Sequence, residues 1–144
     1  MDGFLMSEDM FRQVIMDHYK YPNNKVVESP GDDYIALEGI NPSCGDQLTI
    51  YVKIENNILV DIKFLGNGCS ICCASASIMT EELKDKKADD ANVKIEEFKD
   101  MVKDKKDPQK FEDAQAFLGV SSFPARFKCA FLAWDTIDKI IKGE

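Results

Sequence analysis

The chain has 144 residues and a formal net charge of −8, with 44% hydrophobic and 31% charged residues. That length supports one hydrophobic core, and the composition is that of a folded domain, not a disordered or low-complexity chain. The balance of 18 Lys and Arg against 26 Asp and Glu argues against nucleic-acid or anionic-membrane partners, because both require clustered cations to displace counterions.

Met1 to Ser7 contains neither a basic leader nor an apolar core, and no apolar run is long enough to span a bilayer, so a cytoplasmic protein is expected. Five cysteines in such a chain do not form a complete disulfide framework, which leaves metal binding, reactive thiols or simple burial.

Ser7 is placed to cap a first helix with Glu8 and Asp9 in its opening turn, and Met10, Phe11, Val14, Ile15 and Tyr19 recur at helical spacing. Tyr21-Pro22-Asn23-Asn24 ends it, and a loop runs to about Asp33. A short edge strand is predicted over Tyr34 to Glu38. Leu48, Ile50, Val52 and Ile54 then alternate with Thr49, Tyr51, Lys53 and Glu55, the pattern of a half-buried strand. Asn56-Asn57 supplies a tight turn, and Ile58, Val60, Ile62 and Phe64 continue the alternation as the second arm of a hairpin.

After Gly66-Asn67-Gly68 a second helix opens near Cys69, rich in small residues (Ala74, Ser75, Ala76, Ser77) suited to close packing. Residues 84–107 are dominated by Lys and Asp, yet Val93, Phe98, Met101 and Val102 mark an apolar stripe behind a candidate cap at Asn92, so a solvated helix is predicted there. A short helix is expected from Pro108 through Phe117. A last one begins at Pro124, with Phe127, Ala130, Phe131, Trp134, Ile137 and Ile141 on its apolar face and Gly143 at its end.

The chemistry lies with the cysteines. Cys44 sits in the loop Asn41-Pro42-Ser43-Cys44-Gly45-Asp46, Cys69 between a strand and a helix, and Cys129 early in the last helix. All three fall at element ends, where a scaffold can aim side chains into one pocket. Gly45 leaves room beside the backbone, and Asp46 can turn a carboxylate to the same centre as Cys44; three thiolates and a carboxylate suit tetrahedral zinc. Arg126, three residues before Cys129, can share a helix face with it and offset the negative charge of such a site.

Separations this long carry no fixed ligand code, so burial as small hydrophobes competes with metal binding for each cysteine. Cys69-Ser70-Ile71-Cys72 is in addition a CxxC motif, which elsewhere marks zinc or dithiol chemistry; following an antiparallel hairpin it lacks the βαβ setting of a thioredoxin-like motif. Cys72 and Cys73, one turn into that helix, can face the site as an auxiliary thiol or simply pack, and packing is favoured. His18 reads as a helix C-terminal residue complementing the dipole without catalytic duty, and Trp134 reads as core.

Taken together, Asn41-Pro42-Ser43-Cys44-Gly45-Asp46, Gly68-Cys69-Ser70-Ile71 with Ala74-Ser75-Ala76-Ser77, Phe123-Pro124-Ala125-Arg126-Phe127-Lys128-Cys129-Ala130 and the opening helix Arg12 to Lys20 resemble the NifU/IscU family, in its SufU branch. The resemblance implies an α+β fold of SufE/NifU (IscU-like) type: a small three-stranded antiparallel sheet with helices packed on it, in one domain over residues 1–144. It implies Cys44, Asp46, Cys69 and Cys129 as metal ligands, with Cys44 and Arg126 as the residues working in catalysis.

IscU-type scaffolds carry a histidine just before the last cysteine, where this chain has Lys128, and SufU proteins carry an added segment that residues 84–107 resemble. Both features favour SufU. The implied activity is that of a zinc-dependent sulfurtransferase that takes persulfide sulfur on Cys44 from a SufS-type cysteine desulfurase and delivers it to a downstream iron-sulfur assembly complex. The alternative is an IscU-like scaffold that binds iron and assembles a transient iron-sulfur cluster on the same ligands. The paired Cys72-Cys73 departs from the SufU pattern.

Overall fold

The computed structural model describes residues 6–143. Its elements run α1 (Glu8–Lys20), β1 (Ile35–Asn41), β2 (Asp46–Glu55), β3 (Ile58–Asn67), α2 (Ser70–Leu83), α3 (Ala88–Asp104) and α4 (Phe127–Lys142), with 3-10 segments at Pro108–Lys110, Asp113–Val120 and Pro124–Arg126. The strands form one antiparallel sheet in the order β1-β2-β3, as the three-strand expectation has it. None of the described helices is long and apolar enough to cross a membrane.

The hairpin is closed by Asn56 and Asn57 at φ 52° and 63°, the paired left-handed conformation that matches strand twist. Leu48, Ile50 and Val52 are fully buried, so the period-two pattern of β2 gives its core face. On β3 the simple alternation fails near the turn. The register shifts between Lys53, which pairs with Asp61, and Ile54, which pairs with Leu59. This bulge leaves Val60 without a direct partner and turns Leu59, instead of Ile58 and Val60, into the core, where it is fully buried beside Ile62 and Phe64.

α2 and α4 cover the core face of the sheet, α1 packs on α2 and on the 3-10 segment Asp113–Val120, and α3 packs on α4 and on that same segment. The small residues of α2 are the reason it can sit so deep: Ala74, Ser75, Ala76 and Ser77 are all fully buried. Trp134 of α4 is core, as expected. Its ring stacks on Phe98 of α3 with centroids 3.9 Å apart, and its indole N–H donates to Ser75 Oγ at 2.9 Å. Ser75 in turn donates to the Ala130 carbonyl at 2.6 Å, so the two buried polar groups are satisfied.

Several local expectations are corrected. α1 is capped by Ser7, whose Oγ accepts from Met10 N at 3.3 Å, but Met10 and Tyr19 are exposed and the buried residues are Ile15 and His18. α3 begins at Ala88, so Asn92 lies within the helix, and Val93 is 55% exposed while Ala91 and Ile95 join Phe98, Met101 and Val102 in the core. The stretch from Pro108 is two 3-10 segments and no α-helix, and Pro124 opens a 3-10 turn that only then leads into α4.

Replacing Trp134 with Ala should lower unfolding free energy by about 3–5 kcal/mol, since it removes the largest buried ring and leaves Ser75 without its donor. Urea denaturation followed by far-UV circular dichroism measures this; a loss within error of zero would remove Trp134 from the core.

Candidate metal centre

The site forms where one end of the sheet meets the starts of two helices. The turn from β1 into β2 carries Cys44, closed by Cys44 N donating to the Asn41 carbonyl at 3.2 Å. Gly45 follows at φ +71°, with nothing within 4 Å of where a Cβ would stand, and that turn brings Asp46 inward as the first residue of β2. Cys69 ends the link from β3 and caps α2: its Sγ accepts from Cys72 N at 3.4 Å. Cys129 lies in the first turn of α4.

Asp46 is fully buried, and its Oδ1 accepts from Cys69 N at 2.9 Å. Its Oδ2 faces the Asn41 amide at 3.4 Å, and that amide also points to Cys129 Sγ at 3.9 Å. Cys129 Sγ stands 3.2 Å from Cys44 Sγ, well beyond the roughly 2.05 Å of a disulfide, and all five cysteines are free. Donor atoms of Cys44, Asp46 and Cys129 lie within 4.8 Å of one another. Cys69 is not in that group of three; it is joined to the site through its N–H on Asp46 Oδ1 and is near enough to Cys129 to act on its thiol electrostatically.

Burial first, then the Cys44 and Cys69 contacts, pushes the Cys129 thiol well up from its ordinary range. Negative charge on several of these groups at once is therefore costly without a cation, and a divalent ion removes that cost. The donor set fits zinc on this evidence: sulfur donors and a carboxylate converge, and among the described residues no cationic side chain pairs with the buried Asp46. Cys44 is the exposed member and Cys69 is half-buried, while Cys129 and Asp46 are closed off from solvent.

Arg126 is exposed at the N-terminus of α4, at the end of its 3-10 turn, and no ion pair or hydrogen bond ties its guanidinium to the site. Lys128 is exposed as well. Cys72 and Cys73 are buried, as expected for packing residues; Cys73 donates to the Gly68 carbonyl at 3.5 Å.

Two residues matter more than their sequence placement signalled. Asn41 is 5% exposed and bridges Asp46 to Cys129, which only its position at the motif's head could have hinted. His18 is buried, with Nδ1 2.8 Å from Ser77 Oγ and Nε2 2.8 Å from Asp113 Oδ2, so it fastens α1 to α2 and to the following 3-10 segment instead of serving only the helix end.

The sheet, its helices and this cluster of thiols and a carboxylate define an IscU-like domain with a candidate metal site. The chain belongs to the NifU-like N terminal domain family, which matches residues 10–142. It is 43% identical to the zinc-dependent sulfurtransferase SufU of Bacillus subtilis, over 95% of this chain and 92% of that one. It is 35% identical to the iron-sulfur cluster assembly scaffold protein IscU of Streptococcus pyogenes, over 92% and 83%. Among solved structures, a chain from Fervidobacterium islandicum described as an iron-sulfur cluster assembly scaffold protein for the SUF system superposes with a TM-score of 0.75 at 30% identity, covering 92% of this chain and 97% of that one.

Asn41→Ala should weaken zinc retention roughly tenfold, as removal of groups that orient ligands commonly does. Competition against a chromophoric chelator measures it; unchanged affinity would mean that the Asn41 amide orients neither Asp46 nor Cys129.

Proposed function

We propose that this chain is a zinc-dependent sulfurtransferase of the SufU type, with Cys44 accepting persulfide sulfur from a SufS-type cysteine desulfurase. The observation that carries the reading is the asymmetry of the site: one exposed thiol beside a buried carboxylate and a buried thiol. An acceptor must reach a partner, while the groups that retain an ion need not. The 43% identity to a zinc-dependent sulfurtransferase supports the same reading.

Cys44, Asp46, Cys69 and Cys129 would hold zinc, whose charge, when bound, favours the thiolate over the thiol. Cys44 is exposed on its turn, and Gly45 beside it has open space on its Cβ side, so a partner can approach the thiol. In the transfer, the Cys44 sulfur attacks the terminal sulfur of the partner's cysteine persulfide. A sulfur–sulfur bond forms on Cys44, the partner's own sulfur–sulfur bond breaks, and the partner's cysteine leaves as a thiolate. The exchange is redox-neutral. Asp46 and Cys129, held by Asn41, keep their places throughout.

Arg126, exposed at the start of α4, would steady the charge of the site or contact the desulfurase, and residues 84–107 would be the added segment of the SufU branch. A downstream iron-sulfur assembly complex receives the sulfur, in the cytoplasm, where thiols stay reduced. Relatives described as scaffolds keep a second reading in view: assembly of a transient iron-sulfur cluster on these ligands. Lys128, in the place of the scaffold-type histidine, weighs against it.

Anaerobic purification followed by elemental analysis and a desulfurase assay separates the two. One zinc per chain with strong stimulation of the desulfurase supports transfer; a stable visible iron-sulfur chromophore without stimulation sinks it. Cys44→Ala should abolish sulfur acceptance, read as loss of radiolabelled sulfur on the chain, whereas Cys73→Ala should retain it. Equal loss in both would overturn the assignment of Cys44.

A further inference from the structure

A second group of metal-binding side chains lies at the other end of α2, with no role in the transfer described above. His18, Glu81 and Asp113 each offer one donor atom, and the three atoms lie within 4.8 Å of one another. They come from three elements: the last turn of α1, the last turn of α2 and the first residue of the 3-10 segment Asp113–Val120. At about 1.5 Å of rise per helical residue, Glu81 stands roughly 18 Å along α2 from Cys69, so this group is separate from the thiol site.

His18 sets the group apart from an ordinary acidic surface. Its imidazole is only 7% exposed and is fixed at both nitrogens: Nδ1 lies 2.8 Å from Ser77 Oγ, and Nε2 lies 2.8 Å from Asp113 Oδ2. A polar group on one ring nitrogen that fixes the direction of the other is the support a metal-binding histidine has. Ser77 is itself held by Asn23 N, which donates to its Oγ at 2.8 Å. Asn23 Nδ2 also donates to Glu81 Oε1 at 2.8 Å, so the loop after α1 aligns both the histidine's support and the carboxylate beside it.

The surroundings favour a cation. Among the described residues no Lys or Arg pairs with Glu81, and Asp113 pairs only with His18. Glu81 and Asp113 line a cavity of about 460 Å³ with Glu82 and Glu112, against the amines of Lys86 and Lys110, and Lys110 is already engaged by Glu97 at 2.6 Å. Both α1 and α2 end at this group and bring the negative ends of two helix dipoles to it; α2 has no basic residue in its last turn to offset its own.

We propose that His18 Nε2, Glu81 and Asp113 form a second cation site, which takes a divalent first-row transition ion such as manganese(II) or iron(II). One nitrogen and two carboxylates suit such ions, whereas the sulfur donors of the thiol site select zinc. Bonds of about 2.1 Å allow donors up to roughly 4.2 Å apart, so a rotamer shift of the exposed Glu81 completes the set. With the ion bound, the neutral ring carries its one proton on Nδ1, donating to Ser77 Oγ, and no oxidation or covalent change is involved. The site is independent of the zinc reading.

His18 is the only histidine, so its ring gives an unambiguous nuclear magnetic resonance signal. In the untagged chain loaded with zinc, manganese(II) should bind at one ion per chain, read from the loss of the free ion's electron paramagnetic resonance spectrum, and should broaden the His18 ring signals. Glu81→Gln should weaken that binding by roughly tenfold or more, the loss seen even when a group that only orients a ligand is removed, and should restore sharp His18 signals. Glu81 is exposed, so this variant tests the site without disturbing the core. Glu82→Gln, in the same cavity but outside the three donors, should change the affinity much less.

Manganese(II) that leaves the His18 ring sharp overturns the site. Equal weakening by Glu81→Gln and Glu82→Gln overturns it too, because the acidic surface would then gather cations without a built site. A chain that fails to hold zinc at its thiols would sink the sulfurtransferase reading and leave this test intact, since the His18 ring reports only its own surroundings.

Discussion

The carboxylate of Asp46 is the constraint on which the site and much of the fold around it depend. A charged group with no exposure is costly unless it is hydrogen-bonded or paired, and here one oxygen takes the N–H of Cys69 while the other faces Asn41. The first bond joins the start of β2 to the start of α2. The second closes the β1–β2 turn back on itself and, through the same amide, reaches the first turn of α4. Three chain segments far apart in sequence are thereby held at one corner by a carboxylate that has no cationic partner among the described residues.

That corner is stiff because what lies behind it is. α2 can place Cys69 at the sheet end only by lying close against its neighbours, and its run of small side chains permits that approach. Ser75 shows the cost handled locally: a hydroxyl buried in the helix interior is satisfied on one side by the Ala130 carbonyl and on the other by the Trp134 indole, both from α4. The two helices whose N-terminal ends carry Cys69 and Cys129 are therefore locked to each other by the hydrogen bonds that make Ser75 tolerable. His18 performs a similar service farther away, tying α1 to α2 through Ser77. Rigid support of three donors and a loop-borne fourth give the division of labour that sulfur exchange needs.

What the sequence made legible follows from how local each signal is. The β2 core face and the Asn56-Asn57 turn were readable because alternation and positive φ are properties of a few adjacent residues. The bulge opposite Lys53 and Ile54 is not, since an extra residue in β3 shows only once the partner strand is beside it, and so simple alternation selects Ile58 and Val60 where Leu59 is the buried residue. Asn92 drew attention as a cap because it precedes an apolar run, but Lys87 precedes the helix without any side-chain cap. His18 is polar and sits on an apolar face, and its two partners lie 59 and 95 residues away, beyond any periodicity.

The ligand cysteines occupy a middle position. Their placement at element ends was visible, but spacing alone left burial and metal binding both open, and resemblance to a family was needed to choose four of the six candidate donors. The structure adds an ordering among them that spacing cannot carry: Cys44 faces solvent, Cys69 is half-buried, and Cys129 is closed off. Cys72 is fully buried behind them, and Gly68 passes between it and the Asp46 carboxylate. A side chain at position 68 would close that space, because its Cβ would meet both Asp46 and Cys72 at less than ordinary contact distance. The glycine therefore does more than break a strand: it lets the chain pass close to the Asp46 carboxylate as it enters α2.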